Sequence, residues 1–90
     1  MIEIKKIKKE DKDKEILRLG MIAELDAVSL YEQLSANTKN ETIKKILLDI
    51  AKEEKTHIGE FQTLLLELDK EQVQENEKAR QEIQNLSQVE

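Results

Sequence analysis

Residues 41–68 read ETIKKILLDIAKEEKTHIGEFQTLLLEL. Within this stretch Ile43, Leu47, Ile50, Glu54, His57, Phe61, Leu64 and Leu68 follow one another by steps of 4, 3, 4, 3, 4, 3 and 4. That alternation is the seam of a helix lying along another helix. Two consecutive seam positions, Glu54 and His57, are ionisable. Upstream, residues 13–36 carry a matching seam: Leu17, Gly20, Glu24, Ala27, Tyr31 and Leu34. It too holds a carboxylate. Between the seams, Ser35-Ala36-Asn37-Thr38-Lys39-Asn40 collects turn and cap formers. Thr38-x-x-Glu41 reads as a capping box, and Asn40 is an equal candidate for the N-cap.

These features predict an all-α fold: an antiparallel two-helix hairpin over residues 13–69, preceded by a charged arm, residues 1–12. Asp69, with Gln72 three residues on, marks the start of a third segment. That tail, 70–90, is polar, with Val73, Ala79, Ile83 and Leu86 as a thin stripe. So polar a helix packs weakly, and is expected to be partly disordered or docked on another chain. Strands are disfavoured, because no period-2 alternation is present and Glu, Lys, Leu and Ala dominate.

Composition narrows the chemistry. The chain has 90 residues, no Cys, no Pro, two Gly, one His and only two aromatics, Tyr31 and Phe61. A chain this short is marginal alone and usually needs disulfides, a metal or a partner chain. Without Cys, disulfides, Cys-ligated zinc, iron–sulfur clusters and thiol nucleophiles are excluded. The net charge of −5 argues against nucleic-acid binding. No apolar run is long enough to span a membrane. The basic start (Lys5, Lys6, Lys8, Lys9) leads into six charged residues, 10–15, and not into a signal-peptide core, so a cytoplasmic location is expected.

The ionisable seam residues fall at one height. Glu24 lies 15 residues before Lys39 and Glu54 lies 15 after it. At 1.5 Å per residue both stand roughly 22 Å from the turn, with His57 one helical turn further. An antiparallel hairpin therefore brings Glu24, Glu54 and His57 face to face. No Lys or Arg on either seam offsets the carboxylates, whose burial without a partner costs several kcal/mol. A metal ion would offset them. Glu at i and His at i+3 share a helix face, and oxygen with imidazole donors suits iron, manganese or zinc. One hairpin supplies two Glu and one His, too few for a closed site. Di-iron four-helix bundles use one Glu from each of two helices and Glu-x-x-His from each of the other two. This chain carries half of that set, so a two-fold dimer would complete it, with four glutamates facing two Fe(II).

Each residue also has a plainer reading. Glu fills 15 of 90 positions, so Glu-x-x-His arises by chance about one time in six. Alone, His57 would read as a core histidine; its placement beside Glu24 and Glu54 points to a ligand. Tyr31 stands seven residues, about 10 Å of rise, from Glu24. It is either plain core or a hydrogen-bond donor that reaches the site from a partner chain. Asp26, Glu53 and Glu60 flank the seams, as a solvated face or as acids on the approach path of Fe(II).

The segments Ile22-Ala-Glu24-Leu-Asp26-Ala-Val-Ser-Leu-Tyr31-Glu-Gln and Ala51-Lys-Glu-Glu54-Lys-Thr-His57-Ile-Gly-Glu-Phe61 resemble the encapsulated ferritins, ferritin-like proteins housed in encapsulin nanocompartments. The resemblance covers about residues 13–70. It implies a homodimer with a di-iron centre between subunits, dimers arranged in a ring (a decamer) and an encapsulin shell as partner. It implies Glu24, Glu54 and His57 as ligands, with Tyr31 hydrogen-bonding nearby. Many members have an acid and an aromatic where this chain has Ala23 and Leu30; Asp26 keeps the acid two residues after Glu24. Free-standing members end in an apolar-basic docking peptide, which Ser87-Gln-Val-Glu90 does not resemble. The chain resembles equally the ferritin-like segments fused in front of a shell protein.

The expected function is oxidation of Fe(II) to Fe(III) by oxygen, for iron storage inside an encapsulin nanocompartment. Two other readings remain. One is a different ferritin-like di-metal oxidase, such as a rubrerythrin-type peroxide reductase, which needs four helices in one chain and usually a Cys-rich partner domain. The other is a non-catalytic helical adaptor whose polar seam residues only fix register.

Overall fold

The computed structural model describes residues 11–88. Most of the charged arm, 1–10, and the last two residues lie outside them. Among the described residues there are three helices and no strand: α1 (Lys12–Ala36), α2 (Glu41–Leu68) and α3 (Lys70–Ser87). The turn between α1 and α2 is closed by short polar side chains. The Asn37 N–H donates to the Leu34 carbonyl at 3.1 Å, and its side-chain amide donates to the Gln33 carbonyl at 2.7 Å. Of the two N-cap candidates, Asn40 caps α2, accepting from the Ile43 N–H at 3.0 Å. Thr38 instead accepts from the Asn40 N–H at 3.2 Å, which holds the cap residue in place.

Cross-helix contacts show that α1 and α2 run antiparallel. As the α1 partner advances from Arg18 to Gly20 to Glu24, the α2 side retreats from Asp69 to Phe61 to His57. The line of closest approach is shifted from the seam read in the sequence. The buried residues of the hairpin are Ser35 on α1, Ala51 and Leu65 on α2, and Asp69 at the end of α2. Ala51, Ile58 and Leu65 form an inner row of α2, and Met21, Val28 and Ser35 its counterpart on α1. Leu47, Glu54 and Phe61 lie beside that row, half-buried. Ile43 and Leu64, assigned inward from sequence, are 50% and 49% exposed. The apolar surface of α2 is three heptad rows wide, and one neighbouring helix covers two of them. The third row, Ile43, Ile50, His57 and Leu64, faces out past the edge of α1.

Gly20 is the point where the hairpin is tightest. A Cβ there would lie 3.1 Å from two atoms of the Phe61 ring. Glycine inside a helix costs about 1 kcal/mol relative to alanine. Here the missing side chain is replaced by the ring of the opposite helix.

Asp69 ends one helix and starts the next. Its N–H donates to the Leu65 carbonyl at 2.8 Å, and its Oδ1 accepts from the Gln72 N–H at 3.1 Å, capping α3. Its Oδ2 accepts from Arg18 of α1 at 2.9 Å. With ψ at 88° the backbone leaves the helical region, and α3 departs sideways. The radius of gyration is 17.2 Å, against about 12 Å for a compact chain of this length. The extents are 45 × 45 × 21 Å. The hairpin, at roughly 42 Å for α2, accounts for one long axis, and projecting α3 supplies the other. No residue of α3 is buried. Its Ile83 and Leu86 stand in solvent, and local pairs such as Arg80–Glu77 (2.7 Å) run along its surface.

The Gln72 N–H, joined by the charges of Lys14 and Arg18, holds the Asp69 carboxyl below its ordinary value of 3.8 against the opposing effect of burial. Its contribution is therefore present above pH 3.8 and lost as the pH falls through the lower folded-state value. Asp69→Asn keeps the cap but removes the charge. An acid titration followed by circular dichroism should show a helix-loss step below pH 3.8 that is smaller in this variant. Separately, Asn40→Ala should cost about 1 kcal/mol in urea unfolding.

Candidate metal centre

Glu24 occupies the middle of α1, and Glu54 and His57 lie one turn apart on α2. The fold brings these three together. His57 Nδ1 stands 3.5 Å from Glu24 Oε2 and 3.4 Å from Glu54 Oε2. One donor atom from each residue lies within 4.8 Å of the other two. The carboxylates are set into the hairpin, with side chains 20% and 19% exposed, whereas His57 is 47% exposed. The cluster is therefore open on the flank that carries the third row of α2.

Its electrostatics are unbalanced. Glu24 Oε2 is buried and has no hydrogen-bond partner. Two cations of the hairpin are paired with other acids, Arg18 with Glu15 and Asp69 and Lys55 with Glu32 at 3.2 Å, and no Lys or Arg lies within ion-pair distance of Glu24 or Glu54 among the described residues. An orphaned carboxylate oxygen beside a second carboxylate and an imidazole is a donor set that fits a divalent cation. These donors converge because Glu24 and Glu54 are equidistant from the turn and both helices run unbroken between it and the cluster.

The other candidates separate. Glu60 joins Glu24, His57, Phe61 and Leu64 in lining an open hollow beside the cluster. Asp26 and Glu53 are exposed and do not line it. Tyr31 is half-buried on α1, two turns nearer the hairpin turn than Glu24. Phe61 and Leu64 were read from sequence only as apolar seam positions. The one signal that could have singled out Phe61 is the mid-helix glycine, Gly20, on the facing seam.

Comparison with known proteins agrees with this architecture. A family model described as Rubrerythrin matches residues 15–89. The chain is 54% identical over 76 residues to the ferritin-like–encapsulin shell fusion protein of Pyrococcus furiosus. It is 43% identical over 56 residues to the encapsulin nanocompartment cargo protein EncC of Myxococcus xanthus. These alignments take in 84% and 62% of this chain but only 22% and 43% of the relatives, so the chain spans less than half the length of either. The crystal structure of the encapsulated ferritin domain from Pyrococcus furiosus superposes with a TM-score of 0.86 at 48% identity, covering 100% of this chain and 92% of that one. The chain belongs to the rubrerythrin family of ferritin-like proteins and, within it, to the encapsulated ferritins. Members of the wider family usually carry di-iron oxidoreductase sites.

The orphaned oxygen makes a prediction about stability. Glu24→Gln replaces a buried charge by an amide that can donate to its neighbours. The metal-free variant should be about 1 kcal/mol more stable than wild type, a rise in Tm of about 4–8 °C for a domain of this size. It should also lose the stabilisation that added divalent metal confers on wild type. A metal-free variant melting at or below the wild-type temperature would show that the acid cluster carries no strain.

Proposed function

We propose that this chain is a ferroxidase of the encapsulated-ferritin type, oxidising Fe(II) to Fe(III) with oxygen for iron storage inside an encapsulin nanocompartment. The observation that carries the reading is the convergence of Glu24, Glu54 and His57, with an unpartnered buried oxygen among them, on an exposed flank of a two-helix chain. The relatives named for encapsulin association support the compartment, and with it a cytoplasmic location.

The active unit is a homodimer, and a ring of dimers is the expected higher assembly. Three donors on one hairpin leave a di-iron site half built. Ile50, half-buried, and Leu64, half-exposed, flank His57 on the same row, with half-exposed Ile43 beyond Ile50. A second copy applied to this flank by a two-fold axis would bury that row and supply the other Glu24, Glu54 and His57. The same step would remove apolar surface from water and dry the site.

Two Fe(II) substrates held together would each give one electron to the same O2, which takes up the two electrons with two protons and leaves as hydrogen peroxide, while the two Fe(III) hydrolyse and pass on as mineral. The protein's part is positioning and charge balance. Four glutamates balance two Fe(II), but fall two charges short of two Fe(III). The site thus holds the substrate better neutralised than the product. His57, on the open side of the cluster, supplies the neutral donor. Glu60, on the rim of the hollow, attracts the incoming cation, with Asp26 and Glu53 as outlying acids on the approach. Tyr31 donates a hydrogen bond to the centre of the partner chain.

The test is Fe(II) oxidation by Glu54→Ala and His57→Ala beside wild type, with native mass spectrometry with and without Fe(II). Each variant removes a ligand and should lose more than the roughly 10–100-fold in metal affinity that follows loss of a ligand-orienting partner, with a corresponding fall in rate. Wild-type metal content should be two irons per dimer. Retention of wild-type rate and metal content by either variant would sink the assignment. A dimer that forms equally well with a chelator, and never carries iron, would favour the non-catalytic adaptor.

A further inference from the structure

We propose that Gly20 and Phe61 form a spacer that sets the distance between the α1 and α2 ligands, and that they are positioning residues of the centre. The inference rests on the metal-centre reading above and goes beyond it to residues that hold no metal. Gly20 lies four residues before Glu24, and Phe61 four residues after His57. Residues four apart share a helix face. The glycine–ring contact therefore sits one turn beyond the cluster, on the same side of the hairpin.

The contact is tighter than most side chains make, so a Cβ there requires its neighbour to give by a few tenths of an ångström. A Cβ on Gly20 would meet Phe61 Cε2 and Cζ at 3.1 Å and Cδ2 at 3.3 Å. The ring thus takes up the space beside Gly20 where a side chain would stand. Both helices continue unbroken to the next turn, where Glu24 meets Glu54 and His57. The spacing at the ring is thereby passed on to the 3.5 Å and 3.4 Å separations of the cluster. The same ring lines the hollow beside Glu24 and His57. Adding a methyl group at Gly20 forces the helices apart by a few tenths of an ångström or tips the ring toward the hollow. Either movement disturbs the donors.

The second glycine provides the control. Nothing lies within 4 Å of a Cβ placed on Gly59. Gly20→Ala and Gly59→Ala both replace a helix glycine and both gain helix propensity, but only the first meets the ring.

The experiment is Co(II) titration of the full chain, reading affinity and the visible ligand-field spectrum, with metal-free thermal melting alongside. Gly20→Ala should bind Co(II) about tenfold more weakly, the lower end of the range for residues that orient ligands, with an altered spectrum. Gly59→Ala should match wild type in both. Gly20→Ala combined with Phe61→Leu, which makes room for the methyl group, should recover most of the affinity. Binding by Gly20→Ala that matches Gly59→Ala would overturn the proposal. So would a double variant no better than Gly20→Ala. If Gly20→Ala does not fold, Phe61→Leu alone decides: a changed Co(II) spectrum supports the spacer and a wild-type spectrum overturns it. Failure of wild type and Gly59→Ala to bind Co(II) would instead remove the metal centre itself, and the spacer with it.

Discussion

Two helices have only one surface between them, and here polar side chains interrupt its apolar rows. The apolar residues it fully buries are Ala51 and Leu65. Half-buried Met21, Val28, Leu47, Ile58 and Phe61 make much of the remaining contact, interrupted by two carboxylates with an imidazole. Everything distinctive about the chain follows from placing acids in that seam. No Lys or Arg is paired with them among the described residues, and Arg18 and Lys55 are paired with other acids. They cannot be fully buried, because the hairpin is one helix thick on each side. The third apolar row of α2 is left open beside them, so a carboxylate without a partner and a row without a cover lie on the same flank.

Much of this was legible in the sequence because helix geometry is regular. Counting residues from the turn is enough to place Glu24 opposite Glu54, since neither helix holds a proline or a break in between. The cap of α2 was narrowed to two residues, and backbone geometry decides between them: the Asn40 side chain reaches the Ile43 N–H, while Thr38 is spent on holding Asn40. The inward face of α2 was read one row off. Periodicity reports how wide an apolar stripe is but not which part of it the nearest helix covers. Ile43 and Leu64 fit the pattern as well as Ala51 and Leu65 do, and their exposure is decided by how α1 is rotated. The pairing of Arg18 with Asp69 had no sequence signal, because the two are 51 positions apart.

That ion pair matters for how α3 is held. The third helix has no buried residue and touches the hairpin only near its start. Its direction is set at Asp69, where one carboxylate caps α3 with one oxygen and takes a guanidinium of α1 with the other. A polar helix attached this way needs no core of its own. Its exposed Val73, Ile83 and Leu86 explain why the tail looked like a marginal helix in the sequence yet forms one. The Asp69 cap and intrahelical pairs such as Arg80–Glu77 support it, each i,i+3 or i,i+4 pair contributing roughly 0.2–0.5 kcal/mol.

On the proposed two-chain site, assembly and metal loading are parts of one equilibrium. Each copy carries an unpartnered carboxylate on an open flank, and closing two flanks without a cation would bring four glutamates together. The apolar rows favour that closure while the acids oppose it. A divalent cation changes the sign of the electrostatic contribution without altering the apolar one. Any ligand that binds the closed form more tightly than the open one stabilises closure by mass action. Iron would therefore strengthen the dimer to the same extent that the dimer strengthens iron binding. A self-contained four-helix chain lacks this coupling, because its ligands are already joined. Dividing the proposed site between two short hairpins would make the association of the copies sensitive to their own substrate.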